Sequence, residues 1–261
     1  MKKLLFLSLL FLITEVNAQE LQFEMLSSEA FRAESFLGTD KFGYRYGIRD
    51  NVFFKFQNNE FVEYKNLSLG KIVRVDLQNP LRIILFYENF NTIVMLDNQL
   101  NEIQKINFSD NPVQLVISAT GMASRNRVWI YNSLSQQIGL YDYLNNKYAS
   151  LTQSLRGILK HYESDFNYFQ WIDDKYNWYA CDIFGKITNL GRVPEFDSIQ
   201  IINSQLLLFS KNGIIHLSDL KNDKTFTVEN VEKTFKSFSY KDQILSIFTS
   251  EGITNYKITL P

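Results

Sequence analysis

Cysteine, histidine, proline and glycine are all scarce in this chain. Its 261 residues include one cysteine, two histidines, four prolines and 11 glycines. Because Cys181 is the single cysteine, an internal disulfide is excluded and stability has to come from the burial of apolar side chains. Cys181 lies in an apolar run without a basic neighbour that would lower its pKa, so we predict a buried, unreactive thiol on a strand.

The scarcity of histidine and cysteine also excludes the common metal sites. The sequence contains no HExxH motif, no cysteine pair, no glycine-rich phosphate loop and no GxSxG motif. We predict that His216 is an ordinary strand residue and that His161 lies in a solvated loop. The sequence therefore predicts no metal, no cofactor and no catalytic residue.

Neither sign of charge dominates the chain. It has 27 basic and 28 acidic residues, a net charge of −1. Such a balance creates no long-range field that would hold a phosphate backbone, which argues against nucleic acid as a partner.

A long apolar run is present only at the start of the chain. Two lysines precede the apolar residues 4–13, and small residues follow at positions 16–18. This pattern predicts a signal peptide over residues 1–18 and a single mature domain over residues 19–261. The run is shorter than the roughly 20 residues that span a bilayer, and no cysteine lies near the cleavage point. We therefore expect an exported periplasmic or periplasm-facing protein that is not a lipoprotein.

The residues that are abundant favour β structure. Phe and Tyr together number 36, and the apolar positions form short runs bounded by polar residues and glycine. Helical spacing of apolar residues occurs at residues 151–162 (LTQSLRGILKHY) and, more weakly, at residues 23–31. We predict a short helix in a connecting loop at either place.

The predicted strands recur in groups of four. The second strand of successive groups begins near residues 81, 127, 175, 205 and 243, a mean spacing of about 40 residues that is typical of propeller blades. Residues 33–65 add three or four strands, and residues 21–26 (LQFEML) would supply the outer strand of the last unit. The sequence therefore predicts an all-β propeller of six four-stranded blades, with five or seven as the alternatives, closed by its N-terminal strand. Two β-sandwiches are disfavoured because no linker rich in proline, glycine or serine is present.

Aspartates recur at the turns of these hairpins. Asp97, Asp142 and Asp219 each follow an apolar strand and precede a polar turn, so we interpret them as architectural marks of the repeat. The pair Asp173 and Asp174 offers the clustered oxygens of a glycosidase or calcium site, but its position between two strands favours a turn.

The hairpins also carry a resemblance to known proteins. The segments RVWIYNSLSQQIGLYD and NTIVMLDNQLNEIQ resemble blades of six-bladed propellers of the TolB and NHL kind. Residues 33–258 as a whole resemble a group of exported propeller-like proteins of the Bacteroidetes. This resemblance implies a fold rather than a role, because propellers include both enzymes and binding modules.

Aromatic segments are the candidate binding sites. Residues 166–179 contain seven aromatic side chains in 14 positions, and we predict partner contacts for Trp171, Tyr176 and Trp178. The segment KFGYRYGIR adds Tyr44 and Arg45 as candidates. Ser198 lies in a short Asp-Ser-Ile pattern that matches an O-glycosylation acceptor of exported Bacteroidetes proteins.

The sequence favours a non-enzymatic envelope propeller that serves as a protein-binding scaffold or as a subunit of a periplasmic or outer-membrane-associated assembly. The first alternative is a propeller hydrolase or lactonase that acts on a small molecule or glycan. The second is a carbohydrate-binding module. Three or more carboxylate or asparagine side chains that converge on the channel would favour catalysis, and an apolar or sealed channel would exclude it.

Overall fold

The computed structural model describes residues 22–58, 60–228, 231 and 234–259. Within them it contains 24 strands and two single-turn 3₁₀ helices, Glu88–Phe90 and Phe108–Asp110. The predicted signal peptide lies outside the described residues. No helix in the described part of the chain is long and apolar enough to cross a membrane.

The strands are short and evenly distributed. In chain order, the first 13 are β1 (Gln22–Glu29), β2 (Ser35–Thr39), β3 (Arg45–Arg49), β4 (Val52–Gln57), β5 (Glu60–Tyr64), β6 (Arg74–Asp76), β7 (Ile83–Tyr87), β8 (Thr92–Leu96), β9 (Glu102–Asn107), β10 (Ile117–Ala123), β11 (Arg127–Asn132), β12 (Gln137–Asp142) and β13 (Lys147–Ser150). The remaining 11 are β14 (Leu159–Ser164), β15 (Tyr168–Asp173), β16 (Asn177–Asp182), β17 (Ile187–Arg192), β18 (Ser198–Ile201), β19 (Leu206–Lys211), β20 (Ile214–Asp219), β21 (Lys224–Thr227), β22 (Ser237–Lys241), β23 (Ile244–Phe248) and β24 (Ile253–Thr259).

These strands form six antiparallel sheets of four strands each, which confirms the predicted six-bladed propeller. Blades 1 to 5 each use four consecutive strands, beginning with β2, β6, β10, β14 and β18. Blade 6 uses β22, β23 and β24, and β1 pairs with β24 as its fourth strand. The N-terminal strand therefore closes the ring, as predicted, and covers the edge that β24 would otherwise expose.

A separate hydrophobic core fills each of the six junctions between blades. Residues along one strand alternate between two of these cores, as the pleat requires. In β7, for example, Ile83 and Leu85 pack towards blade 1, whereas Ile84 and Phe86 pack towards blade 3. The last junction, between blades 6 and 1, is filled by phenylalanines that include Phe31, Phe36, Phe54 and Phe248.

The order of strands defines two faces and a channel. We label the strands of each blade A to D in order from the centre outwards; the A strands of consecutive blades lie beside one another around the axis. Because four antiparallel strands return the chain to its starting end, the A–B and C–D turns of all blades lie on one face. We call this the AB/CD face. The B–C turns and the connections between blades lie on the opposite face.

Both helix predictions are wrong. Residues 151–158 connect blades 3 and 4, and β14 occupies the rest of the predicted helix. The apolar period reflects packing of Leu151 and Leu155 on the core between these blades. Their backbone N–H groups bond to Ile138 and Gln136 instead of to each other, and Gly157 has a φ of 90° that a helix does not allow. Residues 23–31 lie largely in strand β1, because the open edge of blade 6 supplies the hydrogen-bond partners.

Strand β10 lies further along the chain than the sequence pattern indicates. The apolar pattern of the sequence predicts a strand over residues 112–119, whereas β10 spans Ile117–Ala123. The channel is crowded at this strand: a Cβ on Gly121 would lie 2.0 Å from Ser164 Oγ and 3.0 Å from Asp76 Oδ2. Small residues let this inner strand approach its neighbours closely.

Candidate functional site

The central channel is the first candidate site. A cavity of about 340 Å³ lies among the A strands. Its polar lining includes Arg74 and Asp76 from blade 2, His161, Glu163 and Ser164 from blade 4, and Gln200 from blade 5. The channel is therefore neither apolar nor sealed.

Asp76 connects blade 2 to blade 3. Its Oδ2 accepts a hydrogen bond from the backbone N–H of Met122 at 2.6 Å, and its Oδ1 accepts one from Gln78 at 2.8 Å. Burial raises the pKa of Asp76, and the two backbone hydrogen bonds and Arg74 oppose that rise. Both oxygens of this carboxylate thus accept hydrogen bonds from backbone N–H groups.

Glu163 and Gln200 connect further pairs of blades in the same way. Glu163 Oε1 accepts the backbone N–H of Ile201 in blade 5 at 2.8 Å and lies 3.1 Å from His161 Nε2. The Gln200 amide donates to the Tyr240 carbonyl at 2.8 Å and accepts the Tyr240 N–H at 2.6 Å, across to blade 6. Polar side chains on the inner strands therefore satisfy the open backbone edges of neighbouring inner strands.

Fewer carboxylates converge on this cavity than the three that would favour catalysis. Two carboxylates, Asp76 and Glu163, line the cavity, and each accepts a hydrogen bond from the backbone of the next blade. Among the described residues, no group of three histidine, cysteine, aspartate or glutamate side chains is placed to hold a metal ion.

The two histidines occupy different environments. His161 lies in β14 and lines the channel beside Glu163, so the prediction of a solvated loop is wrong. His216 lies in β20 with its ring stacked on Phe209 at 5.1 Å, and burial lowers its pKa. Cys181 is fully buried in β16, and burial raises the pKa of its thiol to about 12. The thiol is thus the unreactive packing residue that the sequence predicts.

The recurring aspartates are turn residues. In Asp97, Asp142 and Asp219, Oδ1 accepts two backbone N–H groups of the following turn, and Oδ2 accepts the side-chain amide of an asparagine three or four residues later, namely Asn101, Asn145 and Asn222. In Asp142 and Asp219 these bonds, led by the one from asparagine, lower the carboxyl pKa. Asp173 makes the same set with Asn177, and Asp174 accepts the Ile158 N–H, which confirms the turn interpretation.

The predicted aromatic contact site is largely interior. Trp171 is 4% exposed and stacks on Tyr179, and Trp178 is fully buried between blades 4 and 5. Both tryptophans are therefore corrected to core residues. Tyr176 is half-buried at the turn before β16, edge-on to Phe196 at 5.8 Å.

The other predicted contact residues are engaged within the chain. Tyr44 donates from its hydroxyl to Glu60, and Arg45 forms an ion pair with Glu29 of the closing strand at 2.8 Å. Partner contacts through Tyr176, Tyr44 and Arg45 stay predictions. Ser198 is exposed at the start of β18, with its Oγ 2.8 Å from Ser210 Oγ, and its glycosylation also stays a prediction.

The AB/CD face is the second candidate site. Five large apolar side chains at turn tips are between 39% and 83% exposed there: Phe42, Leu81, Leu144, Phe166 and Phe184. We call these five residues the tip patch. Arg82 and Arg125 lie in the same set of turns. The opposite face also exposes apolar residues, but they are mainly aliphatic: Leu67, Val73, Phe90, Val113, Val116, Leu134 and Ile158.

No residue of the tip patch or of the channel was among the predicted contact residues, although Phe42 and Phe166 lie within the two aromatic segments. The tip patch consists of single apolar residues inside polar turns, which strand patterns do not register. The channel residues lie on short inner strands such as β6, of three residues, which carry no recognisable motif. The turn aspartates did have a further signal, an asparagine three or four residues later, that was readable in the sequence.

Solved structures support the fold, whereas neither a family model nor a curated protein matches the sequence. Virginiamycin B lyase from Staphylococcus aureus is 10% identical with a TM-score of 0.57, over 93% of this chain and 100% of that one. YCF48, in a structure with a D1 peptide bound, is 10% identical with a TM-score of 0.53, over 94% and 99%. PorZ, an essential surface component of the type-IX secretion system of Porphyromonas gingivalis, is 12% identical with a TM-score of 0.50, over 91% of this chain and 34% of that one. At these identities the likeness concerns the fold.

Proposed function

We propose that this protein is a non-enzymatic β-propeller that binds a protein partner through its AB/CD face. The observation on which this rests is the tip patch, whose members are 39–83% exposed on one face. Exposed apolar patches are typical of interaction sites. Three of its five residues are phenylalanines and two arginines lie in the same turns, a composition enriched in protein interfaces.

The opposite face fits this role less well. Its exposed apolar residues are six aliphatic side chains and Phe90. Leucine and valine are under-represented among the residues that dominate binding energy. The partner is accordingly expected to present an apolar segment to the phenylalanines Phe42, Phe166 and Phe184.

The location and the kind of partner are also part of the proposal. The predicted signal peptide over residues 1–18 supports export, and the partner is then another protein of the cell envelope. PorZ, a surface component of a secretion system, and YCF48, solved with a peptide bound, are proteins of similar fold, and their descriptions support a protein-binding role for this chain. We also propose that the chain is related to the exported propeller-like proteins of the Bacteroidetes.

A catalytic propeller is the second candidate, favoured by one observation. His161 and Glu163 form a hydrogen-bonded pair in the channel, and a lyase shares the fold. The engagement of both channel carboxylates with the backbone argues for the binding role instead.

Site-specific photo-crosslinking in the cells that naturally produce the protein tests the binding face. A crosslinking amino acid at position 184 is expected to capture one stoichiometric partner, and the same group at position 134 on the opposite face is not. The Phe166→Ala/Phe184→Ala variant should weaken binding of that partner by several hundred-fold, because each of the two rings is worth roughly 2 kcal/mol as an anchor and about 1.4 kcal/mol is a factor of ten. Leu134→Ala is the matched control. Recovery of no partner, or equal capture from both positions, would refute the proposal.

A further inference from the structure

We propose that the central channel binds a small organic carboxylate through the guanidinium group of Arg74. This site is independent of the AB/CD face and does not rest on the proposed protein-binding function. It would make the propeller a receptor for a small acid in addition to its role as a scaffold.

The environment of Arg74 is the first observation. Arg74 lies in β6, and its guanidinium carbon lies 4.1 Å from the centroid of the Tyr162 ring. Tyr162 is itself buried, so the stacked guanidinium rests on a fixed surface. Among the described residues, the guanidinium has neither a hydrogen-bond acceptor nor an ion-pair partner. A planar group with five N–H donors is thus held at the cavity wall with its donors unused.

The nearby carboxylates do not use these donors. Asp76 directs both oxygens to the backbone N–H groups of Met122 and Gln78. Glu163 Oε1 is occupied by the Ile201 N–H and by His161. A carboxylate from outside the chain matches the forked geometry of the free guanidinium.

The rest of the cavity suits a small, partly polar ligand. Its volume of about 340 Å³ holds roughly ten non-hydrogen atoms, taking about 30 Å³ for each water that they replace, and because the channel is not sealed a somewhat longer ligand can extend out of it. Ser164 and Ser239 line it, and their hydroxyls make no hydrogen bond to another described residue. Phe36 and Phe238 provide apolar wall. A carboxylate with hydroxyl or amino groups therefore fits better than a purely aliphatic acid.

Such a carboxylate has two sources, a free hydroxy or amino acid and the C-terminus of a peptide. The purified ¹⁵N-labelled protein can be titrated by NMR with gluconate, with the tripeptide Gly-Gly-Ser, and with the C-terminal amide of that tripeptide. We expect saturable shifts with gluconate, with the free-acid tripeptide or with both, and none with the amide. A response to gluconate alone would identify a free acid as the ligand, and a response to the free-acid tripeptide alone would identify a peptide C-terminus.

Variants assign the binding to Arg74. Arg74→Gln should weaken the affinity for the carboxylate about tenfold or more. Arg74→Lys keeps the positive charge but loses the two parallel N–H donors of the guanidinium, so it should weaken the affinity about threefold. The matched control Arg192→Gln, at the exposed end of the outer strand β17, should leave the affinity unchanged. Thermal unfolding of each variant checks that it is folded. If Arg74→Gln does not fold, the affinity of Arg74→Lys tests the proposal. No saturable response to any probe at about 20 mM, or unchanged affinity in both Arg74 variants, would overturn the proposal.

Discussion

The channel lining and the tip patch differ in what their side chains contact. In the channel, Asp76, Glu163 and Gln200 each bond to the backbone of a neighbouring blade. On the AB/CD face, Leu144 and Phe184 are 62% and 83% exposed. The polar residues of the channel hold neighbouring blades together, whereas the side chains of Leu144 and Phe184 project from the ring and are largely exposed to solvent.

This difference reverses the usual expectation for a propeller. Polar groups that converge on a central channel suggest catalysis, and apolar groups suggest packing. Here the inner strands have an open edge on the channel side, so polar side chains are needed to satisfy it. Phe184, which is 83% exposed, contributes little to the fold, since burial of apolar area is what stabilises it. Partner binding is the role that such residues can serve.

The largest expected effect is the loss of an inter-blade bond. Gln200→Ala removes both hydrogen bonds to the Tyr240 backbone and should lower the free energy of unfolding by about 2 kcal/mol, because two polar backbone groups are left without partners. Gln99→Ala, at an exposed turn of the AB/CD face, should change it by less than about 0.5 kcal/mol. Urea denaturation measures both values. Equal losses in the two variants would contradict the distinction between the regions.

A smaller expected effect is that the stability contributions of carboxyl groups in the two regions change with pH in opposite directions. Burial raises the pKa of Asp76 in the channel above its ordinary 3.8. Its contribution to stability is therefore fully present below pH 3.8 and is lost as the pH rises through the raised value. The Asn145 side chain lowers the pKa of Asp142 on the AB/CD face, so that contribution is present above pH 3.8 and is lost as the pH falls through the lowered value.

Asparagine variants expose these opposite trends. The stability difference between wild type and Asp76→Asn should shrink with rising pH, and the difference for Asp142→Asn should shrink with falling pH. Denaturation midpoints between about pH 3 and pH 7 measure both, which covers the range in which carboxylates titrate. Trends of the same sign would show that the two carboxyl groups share one kind of environment.

The smallest expected effect is the change in stability when phenylalanines of the tip patch are truncated. Phe184→Ala should lower the free energy of unfolding by no more than about 0.5 kcal/mol, since its side chain is 83% exposed, and Phe166→Ala by about 1 kcal/mol, since its side chain is 39% exposed. Denaturation of each purified variant measures this. A loss of several kcal/mol would show that the rings stabilise the fold and would remove their availability for a partner.

The accuracy of the sequence predictions follows the position of a strand within its blade. Strands β11 and β12 begin and end where the pattern places them, at Arg127–Asn132 and Gln137–Asp142. These central strands have a hydrogen-bonded neighbour on each side and bury both faces, so their apolar runs are continuous. Leu159 and Tyr162 of the inner strand β14 continue the leucine spacing of the preceding connection, and the combined period imitated a helix.

The candidate site was predicted less well than the fold. Tyr176, Tyr44 and Arg45 were selected as aromatic and basic contact residues, and each is partly buried and engaged within the chain. Arg74, Asp76 and Glu163 were not selected, because their partners belong to other blades that lie between about 40 and 90 residues away in the chain. Such pairings leave no local spacing to recognise.

The amino-acid sequence by itself determined the six-blade repeat, the closure by the N-terminal strand and the aspartate turns, because strand alternation and turn chemistry are local properties. The tertiary structure alone decided which aromatic residues reach solvent. Trp171 and Trp178 point to opposite faces of blade 4, yet both are buried, since a neighbouring blade covers each face. In a propeller, period two tells which blade a side chain faces, and only the packed ring shows which side chains are left for a partner.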